Sequence, residues 1–306
     1  KRVENDTRNQ LVFSYIQFIK LVKPKMILFE NVKGFTFAFN KKTNRDAIPY
    51  SEVVINELKE LGYNVKPYII DFSKYGVPQR RKRFILVGIM GGNAENFEAL
   101  LEELKTDYLN NKGIESFVSL QDAISDLFQQ NGEVPTPDRK GFNSGIYGDI
   151  NSNYQRMMRI DIDSKNIPDS HSFAHHNSFT QKVFANLIAC YPTKGKRITN
   201  KEREQWNIKK RGLTLLNKDD VSPTLTSHPD DYIHYAEPRI LTVREYARIQ
   251  SFPDWYQFKM KYTTGGDMRK KEVPRYTQIG NAIPPLFAEL AGRVLIEILK
   301  DGTDAI

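Results

Sequence analysis

The chain has 306 residues and carries 45 Lys and Arg against 37 Asp and Glu, so its net charge is +8 and its pI is near 9.3. Hydrophobic residues make up 40% of it, enough for a core in one large domain or two modest ones. The single cysteine, Cys190, excludes an internal disulfide framework and fits a reducing cytoplasm. No apolar run reaches the roughly 18 residues that a membrane span needs. The basic surplus favours a polyanionic partner, with a merely solvated basic surface as the alternative.

Helical and strand patterns alternate through the first 90 residues. Apolar residues near helical spacing, among them Leu11, Ile16 and Ile19, predict an amphipathic helix that ends before Pro24. The predicted elements are a helix at 10–21, a strand at 26–29, a helix at 50–61, and strands at 65–70 and 84–89. This strand–helix–strand order predicts an α/β fold with a largely parallel sheet.

The composition changes at about residue 129. Helical patterns at 94–108 and 120–128 give way to a stretch rich in Gly, Pro, Asn, Asp and Ser that runs to about residue 237. It contains one apolar helical run, 183–190, and we expect Cys190 at its end to be a buried structural residue. Helical patterns return at 242–250 and 285–299.

Four blocks of unusual composition follow one another along the chain. In the first block, a carboxylate and a carboxamide stand at the end of an apolar strand. Ligands of open α/β sheets bind at such strand ends. The blocks are Glu30-Asn31-Val32; Gln79-Arg80-Arg81-Lys82-Arg83; Arg244-Glu245-Tyr246-Ala247-Arg248-Ile249-Gln250-Ser251-Phe252-Pro253-Asp254; and Gln278-Ile279-Gly280-Asn281-Ala282-Ile283-Pro284-Pro285.

In this order the four blocks resemble the later motifs of the DNA (cytosine-5)-methyltransferases, and the resemblance spans most of the chain. It implies part of a Rossmann-like methyltransferase sheet with an inserted, loop-rich target-recognition domain. The implied division is catalytic domain at 1–128, target recognition at 129–237, and a return to the catalytic domain at 238–306. The implied reaction moves a methyl group from S-adenosylmethionine to C5 of cytosine in a specific DNA sequence, in a bacterial restriction-modification system.

The resemblance also implies catalytic roles. The family's chemistry adds a thiolate to C6 of cytosine and needs an acid near ring N3, a role that falls on Glu30. Arg81 and Arg83 match the family's Gln-x-Arg-x-Arg block. Two residues apart on an extended chain, their side chains would point the same way, one towards Glu30 and the base carbonyl and the other towards a phosphate. A strand-end Glu that caps the next helix, and a solvated basic strand start, are the alternatives.

Binding roles follow from the same resemblance. Leu11, which comes after Asp6-Thr7-Arg8-Asn9, and Asn281 with Ala282 are predicted to line the methyl-donor pocket, with plain core and a turn as the alternatives. Thr224 is predicted to touch the backbone of the flipped nucleotide, or else to be an ordinary loop threonine. His171, His175 and His176 lack a spacing that completes a metal site, so no metal is predicted.

Two of the family's elements have no match in this sequence, a Gly-rich donor loop and a Pro-Cys nucleophile loop. The chain begins with Lys1 rather than Met, and Cys190 stands in a different context. We therefore expect an amino-terminal portion or a second subunit to supply the nucleophile, and we expect this chain alone not to methylate.

Two other functions remain open from the sequence. A tRNA cytosine-5 methyltransferase of the same superfamily would be expected to carry a shorter recognition segment, whereas the long one here favours double-stranded DNA. A non-catalytic DNA-binding chain would explain the missing nucleophile, but the intact Glu30, Arg81, Arg83 and Asn281 argue against a decayed site. The expected location is the bacterial cytoplasm, in association with the nucleoid.

Overall fold

A computed structural model describes residues 10–38, 48–163, 165–264, 268 and 271–303. The chain forms two compact units, each built from separate stretches of sequence. Unit 1 consists of Lys1–Asp71, Lys82–Thr106 and Glu289–Ile306, and unit 2 of Phe72–Arg81 and Asp107–Ala288. These units divide the chain at other points than the predicted boundaries near 128 and 237, so the division by role stays a prediction. The segment 6–9 lies outside the described residues.

Unit 1 is built on a three-stranded sheet whose strands are β1 (Met26–Val32), β2 (Tyr63–Asp71) and β3 (Lys82–Met90), in the order β1-β3-β2. The helices α1 (Gln10–Val22) and α2 (Tyr50–Glu60) flank β1 in sequence. The central strand β3 is buried from Arg83 to Ile89, as expected for a strand covered on both faces. Pro67, which cannot donate to a ladder, lies in the edge strand β2.

The prediction of a largely parallel sheet is wrong for these strands, because β3 pairs antiparallel with both β1 and β2. The strand–helix–strand unit does give β1 and β2 the same direction, with α2 as the crossover. The chain then turns through Phe72–Arg81 and inserts β3 between them. The direction of a strand that follows such a connecting segment depends on the strands with which it pairs. Local periodicity does not encode those partners.

The hydrophobic core of unit 1 shows which face of α1 is buried. Val12, Ile16 and Ile19 pack against Ile27 of β1 and Leu58 of α2 in one cluster. Leu11 is 67% exposed, so the alternative that Leu11 is a core residue does not hold. The helix was predicted correctly, but of the residues predicted for its apolar face only Ile16 and Ile19 are buried, and Val12 takes the place of Leu11 in the core.

Unit 2 holds most of the shorter elements and a separate core. Its strands are β4 (Glu133–Pro135), β5 (Asn143–Gly145), β6 (Thr214–Leu215) and β7 (Tyr232–Ile233); its helices are α4 (Leu120–Ile124), α5 (Asn153–Met158), α6 (Ser178–Cys190), α7 (Asn200–Gln205), α8 (Val243–Ile249) and α9 (Arg275–Asn281). Helices α3 (Phe97–Asn111) and α10 (Pro285–Thr303) are shared between the two units by sequence. Strands of two or three residues confirm the loop-rich prediction for this region.

Buried ion pairs hold α8 in place within unit 2. Arg248 is fully buried and contacts the carboxylates of Asp126 and Asp254 at 3.1 and 2.6 Å. Arg239 binds Glu245 through two hydrogen bonds of 2.8 and 2.7 Å. Because removing one partner would leave a buried charge uncompensated, these pairs fix the helix in one position. The block 244–254 therefore has a structural role.

Candidate functional site

Glu30 lies at the end of β1, beside the start of β3. In the antiparallel register Glu30 faces Ile85, and Val32 faces Arg83. Arg83 is thus the diagonal neighbour of Glu30 on the same face of the sheet, which is within reach of long side chains. Arg83 Nε lies 2.9 Å from Glu30 Oε1, with the two side chains only 11% and 18% exposed. The predicted neighbourhood of Glu30 and Arg83 is present in unit 1.

The ion pair orients the carboxylate in a partly desolvated place. Burial lowers the pKa of the Arg83 guanidinium, and the charge of Glu30 opposes this change. Arginine nevertheless stays charged in proteins, so the guanidinium is a permanent donor to Glu30. Next to it, Asn31 Oδ1 accepts a hydrogen bond of 2.9 Å from the backbone N–H of Val32. The strand end thus presents a carboxylate of fixed orientation.

Arg81 has different hydrogen-bond partners from Arg83. It is 1% exposed and donates to backbone carbonyls within unit 2: Gly280 at 2.6 Å, Ala282 at 3.3 Å and Leu225 at 3.3 Å. The two arginines do not share one strand face, because β3 begins only at Lys82 and Arg81 precedes it. A buried Arg81 in this network does not fit the expected contact with a phosphate. Its hydrogen bonds make it a positioning residue for the backbone of 280–282.

Two glutamines extend this network within unit 2. Gln79 Nε2 donates to Gln250 Oε1 at 2.6 Å, and Gln79 Oε1 accepts from the backbone N–H of Leu225 at 3.1 Å. Gln250 Nε2 in turn donates to the carbonyl of Ala282 at 2.8 Å. Three of the four sequence blocks therefore meet through buried polar contacts. Sequence reasoning missed Gln250, although a glutamine in an otherwise core-like helical run was a signal.

The predicted donor-pocket residues lie at two places. Asn281 is the exposed last residue of α9, and Ala282 is the cap whose carbonyl the network holds. Gly280, one residue earlier, approaches another backbone closely, because a Cβ there would lie 3.1 Å from Thr226 O. Leu11 projects from α1 of unit 1 and is exposed. An exposed leucine and an exposed carboxamide suit an adenosine-bearing ligand, and both assignments stay predictions.

Thr224 lies beside the same network. Its hydroxyl donates to the carbonyl of Arg80 at 2.6 Å, and its own carbonyl accepts from Tyr232 Oη at 2.7 Å. Both contacts hold the 224 backbone in place, while the side chain is exposed. Its predicted contact with a nucleotide stays a prediction.

The three histidines do not form a cluster of common function. His171 is buried between Thr242 Oγ1 at 2.8 Å and the carbonyl of Leu127 at 2.9 Å, and burial lowers its pKa to about 4. His175 stacks on Phe142, and His176 accepts from the backbone N–H of Ile240. Among the residues described, no group of His, Cys, Asp and Glu is arranged to hold a metal ion.

Cys190 is exposed at the end of α6, so the prediction that it is buried is wrong. The apolar run does form a helix, but Phe184 and Leu187 provide its buried face, and position 190 falls outside it. In the part of the chain that the structure describes, no helix is long and apolar enough to cross a membrane.

The chain has a mixed α/β fold that is also found in a solved structure. A crystal structure assigned as a DNA modification methyltransferase encoded within an E. coli prophage matches 96% of this chain and 75% of that chain, with a TM-score of 0.65 at 20% identity. This likeness confirms the predicted fold class.

Sequence comparison identifies the family. The pattern of the C-5 cytosine-specific DNA methylases matches residues 1–297, and the chain belongs to that family. The chain is 30% identical to the type II methyltransferase M.DdeI of Desulfomicrobium norvegicum over 96% of its length, and 27% identical to M.XorII of Xanthomonas oryzae pv. oryzae over 98%. It spans 68% and 65% of the lengths of these two relatives. The predicted family is thereby confirmed.

Proposed function

We propose that this chain takes part in transferring a methyl group from S-adenosylmethionine to C5 of cytosine in a specific sequence of double-stranded DNA, in a bacterial restriction-modification system. The observation that carries the proposal is the Glu30–Arg83 pair, an oriented carboxylate at a strand end in a chain of the cytosine-5 methylase family. The expected place of action is the bacterial cytoplasm, on the nucleoid. The alternative of a tRNA methyltransferase has less support, because the relatives M.DdeI and M.XorII are named type II methyltransferases.

Glu30 is proposed to hold or deliver a proton at N3 of the target cytosine while Arg83 keeps its carboxylate in place. The target base has to leave the duplex to reach such a group, at a cost of a few kcal/mol. S-adenosylmethionine would supply the methyl group, with Leu11, Asn281 and Ala282 proposed to contact it. Thr224 is proposed to hold the displaced strand. The thiolate that activates the base is proposed to come from an amino-terminal portion or a second subunit.

The role of Glu30 can be tested in the enzyme completed by the portion that supplies the thiolate. Glu30→Gln removes the acid while keeping the size of the side chain and one accepting oxygen, so we expect the single-turnover rate to fall by about 100-fold or more. The Kd for DNA should change little, because binding does not use the proton. Glu95→Gln, which alters an exposed carboxylate paired with Lys66, is the matched control. An unchanged single-turnover rate in Glu30→Gln would refute the assignment.

Target recognition is proposed to lie in residues 129–237. Exchange of this stretch with the corresponding stretch of a relative that methylates another site should move methylation to the relative's site. Sequencing of modified plasmid DNA reads the outcome directly. Methylation that stays at the original site would show that the segment does not choose the sequence.

A further inference from the structure

The positive charge of the chain is concentrated in one stretch of unit 2, residues 178–218. Ten of the 45 Lys and Arg residues but only two of the 37 Asp and Glu residues fall there, a net charge of +8. The rest of the chain has 35 residues of each sign and is neutral. The basic surplus of the whole protein is therefore a property of α6, α7 and the loops beside them.

The fold brings two basic loops of this stretch side by side. Lys194, Lys196 and Arg197 lie in the first loop, after α6. The second loop connects α7 to β6 and contains Lys209, Lys210 and Arg211. The backbone N–H of Gly195 donates to Leu215 O at 2.7 Å, and that of Ile198 donates to Leu213 O at 2.9 Å. The first loop therefore runs along the segment that follows Arg211.

A hydrogen bond and a buried side chain hold the second loop in place. Arg203 Nη2 donates to the carbonyl of Lys209 at 3.0 Å, and Ile208 is buried in the same hydrophobic cluster as Leu187 and Leu213. Lys209 and Arg211 are consequently held on the outside. The surface is thus built on its own core and does not depend on a flexible tail.

Acidic partners are scarce on this surface. Lys210 is paired, at 3.4 Å from Asp231. Among the described residues no carboxylate lies within ion-pair distance of the exposed side chains of Lys194, Lys196, Arg197, Lys209 and Arg211, which we call the basic surface. Like charges held together in this way destabilise the free protein unless a polyanion covers them.

We infer that the basic surface binds the phosphodiester backbone of double-stranded DNA and supplies the sequence-independent part of binding, while the target sequence is read elsewhere. Exposed lysines are long, flexible point charges, which suit phosphates better than the edge of one particular base. The inference rests on the proposed function for its choice of duplex DNA. It adds to the proposed function that, within the recognition segment, the residues that bind phosphates are not those that read the target sequence.

The test compares two variants with the same loss of charge. The first carries Lys194→Gln, Lys196→Gln, Lys209→Gln and Arg211→Gln, and the control carries Lys25→Gln, Lys59→Gln, Lys74→Gln and Lys271→Gln, all at exposed sites outside the stretch. Fluorescence anisotropy with a labelled duplex gives Kd at several salt concentrations. Each lost phosphate contact should reduce the log–log salt slope by about 0.9, so the first variant should lose roughly 3 to 4 and the control close to none. Equal slopes for the two variants would overturn the inference.

A competition arm separates phosphate contact from base reading. If the basic surface binds phosphates only, the ratio of Kd values for two duplexes of different sequence stays the same in the first variant as in the wild type. A changed ratio would show that these side chains read bases, and tighter binding of an RNA duplex by the wild type would show that the ligand is wrong. All arms measure binding without methyl transfer. A chain that binds as expected, but does not methylate even when completed by the portion that supplies the thiolate, refutes only the proposed function.

Discussion

The guanidinium of Arg81 donates a 2.6 Å hydrogen bond to the carbonyl of Gly280, although 199 positions separate the two residues. The contact joins the Gln-x-Arg-x-Arg block to the last sequence block through the backbone rather than through a second side chain. A charged donor that serves three carbonyls fixes the path of 280–282, the stretch in which Asn281 and Ala282 are proposed to meet the methyl donor.

Substitution of the neighbouring residues Arg80 and Arg81 should destabilise the protein to different extents. Arg81→Gln should lower the free energy of unfolding by about 2–4 kcal/mol, because buried carbonyls lose a charged donor. Arg80→Gln should cost only about 0–1 kcal/mol, because Arg80 is 56% exposed and its pair with Asp220 is screened by water. Urea unfolding of the two variants measures both. Equal destabilisation by the two substitutions would mean that the buried hydrogen bonds of Arg81 contribute no more to stability than the exposed ion pair of Arg80.

Gly280→Ala should disturb the same stretch by steric conflict. The added Cβ would lie 3.1 Å from Thr226 O and 3.3 Å from Ser227 N, and both are backbone atoms that cannot rotate away. We expect a loss of about 1–3 kcal/mol in unfolding free energy.

Gly292→Ala is the matched control, because a Cβ there meets nothing within 4 Å and Gly292 lies inside α10. It should be neutral or stabilise the protein by up to about 1 kcal/mol through helix propensity. Thermal unfolding of both variants gives the comparison. A neutral Gly280→Ala would show that the two backbones can separate without cost.

The sequence was sufficient to predict the helices but not to predict the contacts between elements. The apolar spacing of Leu11, Ile16 and Ile19 and the apolar run before Cys190 predicted α1 and α6, because helical periodicity is local. The antiparallel position of β3 was missed because pairing is decided by distant residues. The separation of Arg81 from Arg83 was missed for a similar reason, since it depends on where β3 begins.

The candidate site shows the same limit. Resemblance pointed to Glu30 and Arg83, and the sheet register explains why their side chains meet. Gln250 could not be assigned from the sequence, because only the fold reveals that its amide reaches both Gln79 and the carbonyl of Ala282. When a polar residue is buried within an apolar pattern, the sequence does not show which groups form its hydrogen bonds.

Stability should fall in acid because buried groups take up protons mainly after unfolding. Burial lowers the pKa of His171 to about 4 and that of His234 to about 3, so the unfolded chain binds these protons first as the pH drops below about 6.5. Burial alone would raise the pKa of Glu245, but Arg239 outweighs it and lowers the pKa to about 2. Its contribution is therefore present above the unfolded pKa of about 4.3 and is lost towards pH 2.

The unfolding free energy should therefore be level between about pH 7 and 8, decline below about 6.5, and decline more steeply below about 4.5, by up to about 1.4 kcal/mol per pH unit for each group. Urea unfolding between pH 4 and 8 measures the profile. His171→Gln should flatten the decline between pH 6.5 and 4, whereas His175→Gln, at an exposed histidine stacked on Phe142, should leave it unchanged. An identical profile in wild type and His171→Gln would contradict the assignment.

Cys190 provides a test of where the nucleophile comes from. It is exposed at the end of α6, so its thiol is open to reagents, but it follows Ala189 and does not stand in a Pro-Cys loop. Incubation of the chain with S-adenosylmethionine and duplex DNA containing 5-fluorocytosine should give no adduct that survives a denaturing gel. Addition of a portion carrying a Pro-Cys loop should produce one, and Cys190→Ser should leave both results unchanged. An adduct formed by the chain alone and abolished by Cys190→Ser would make Cys190 the nucleophile and overturn this account.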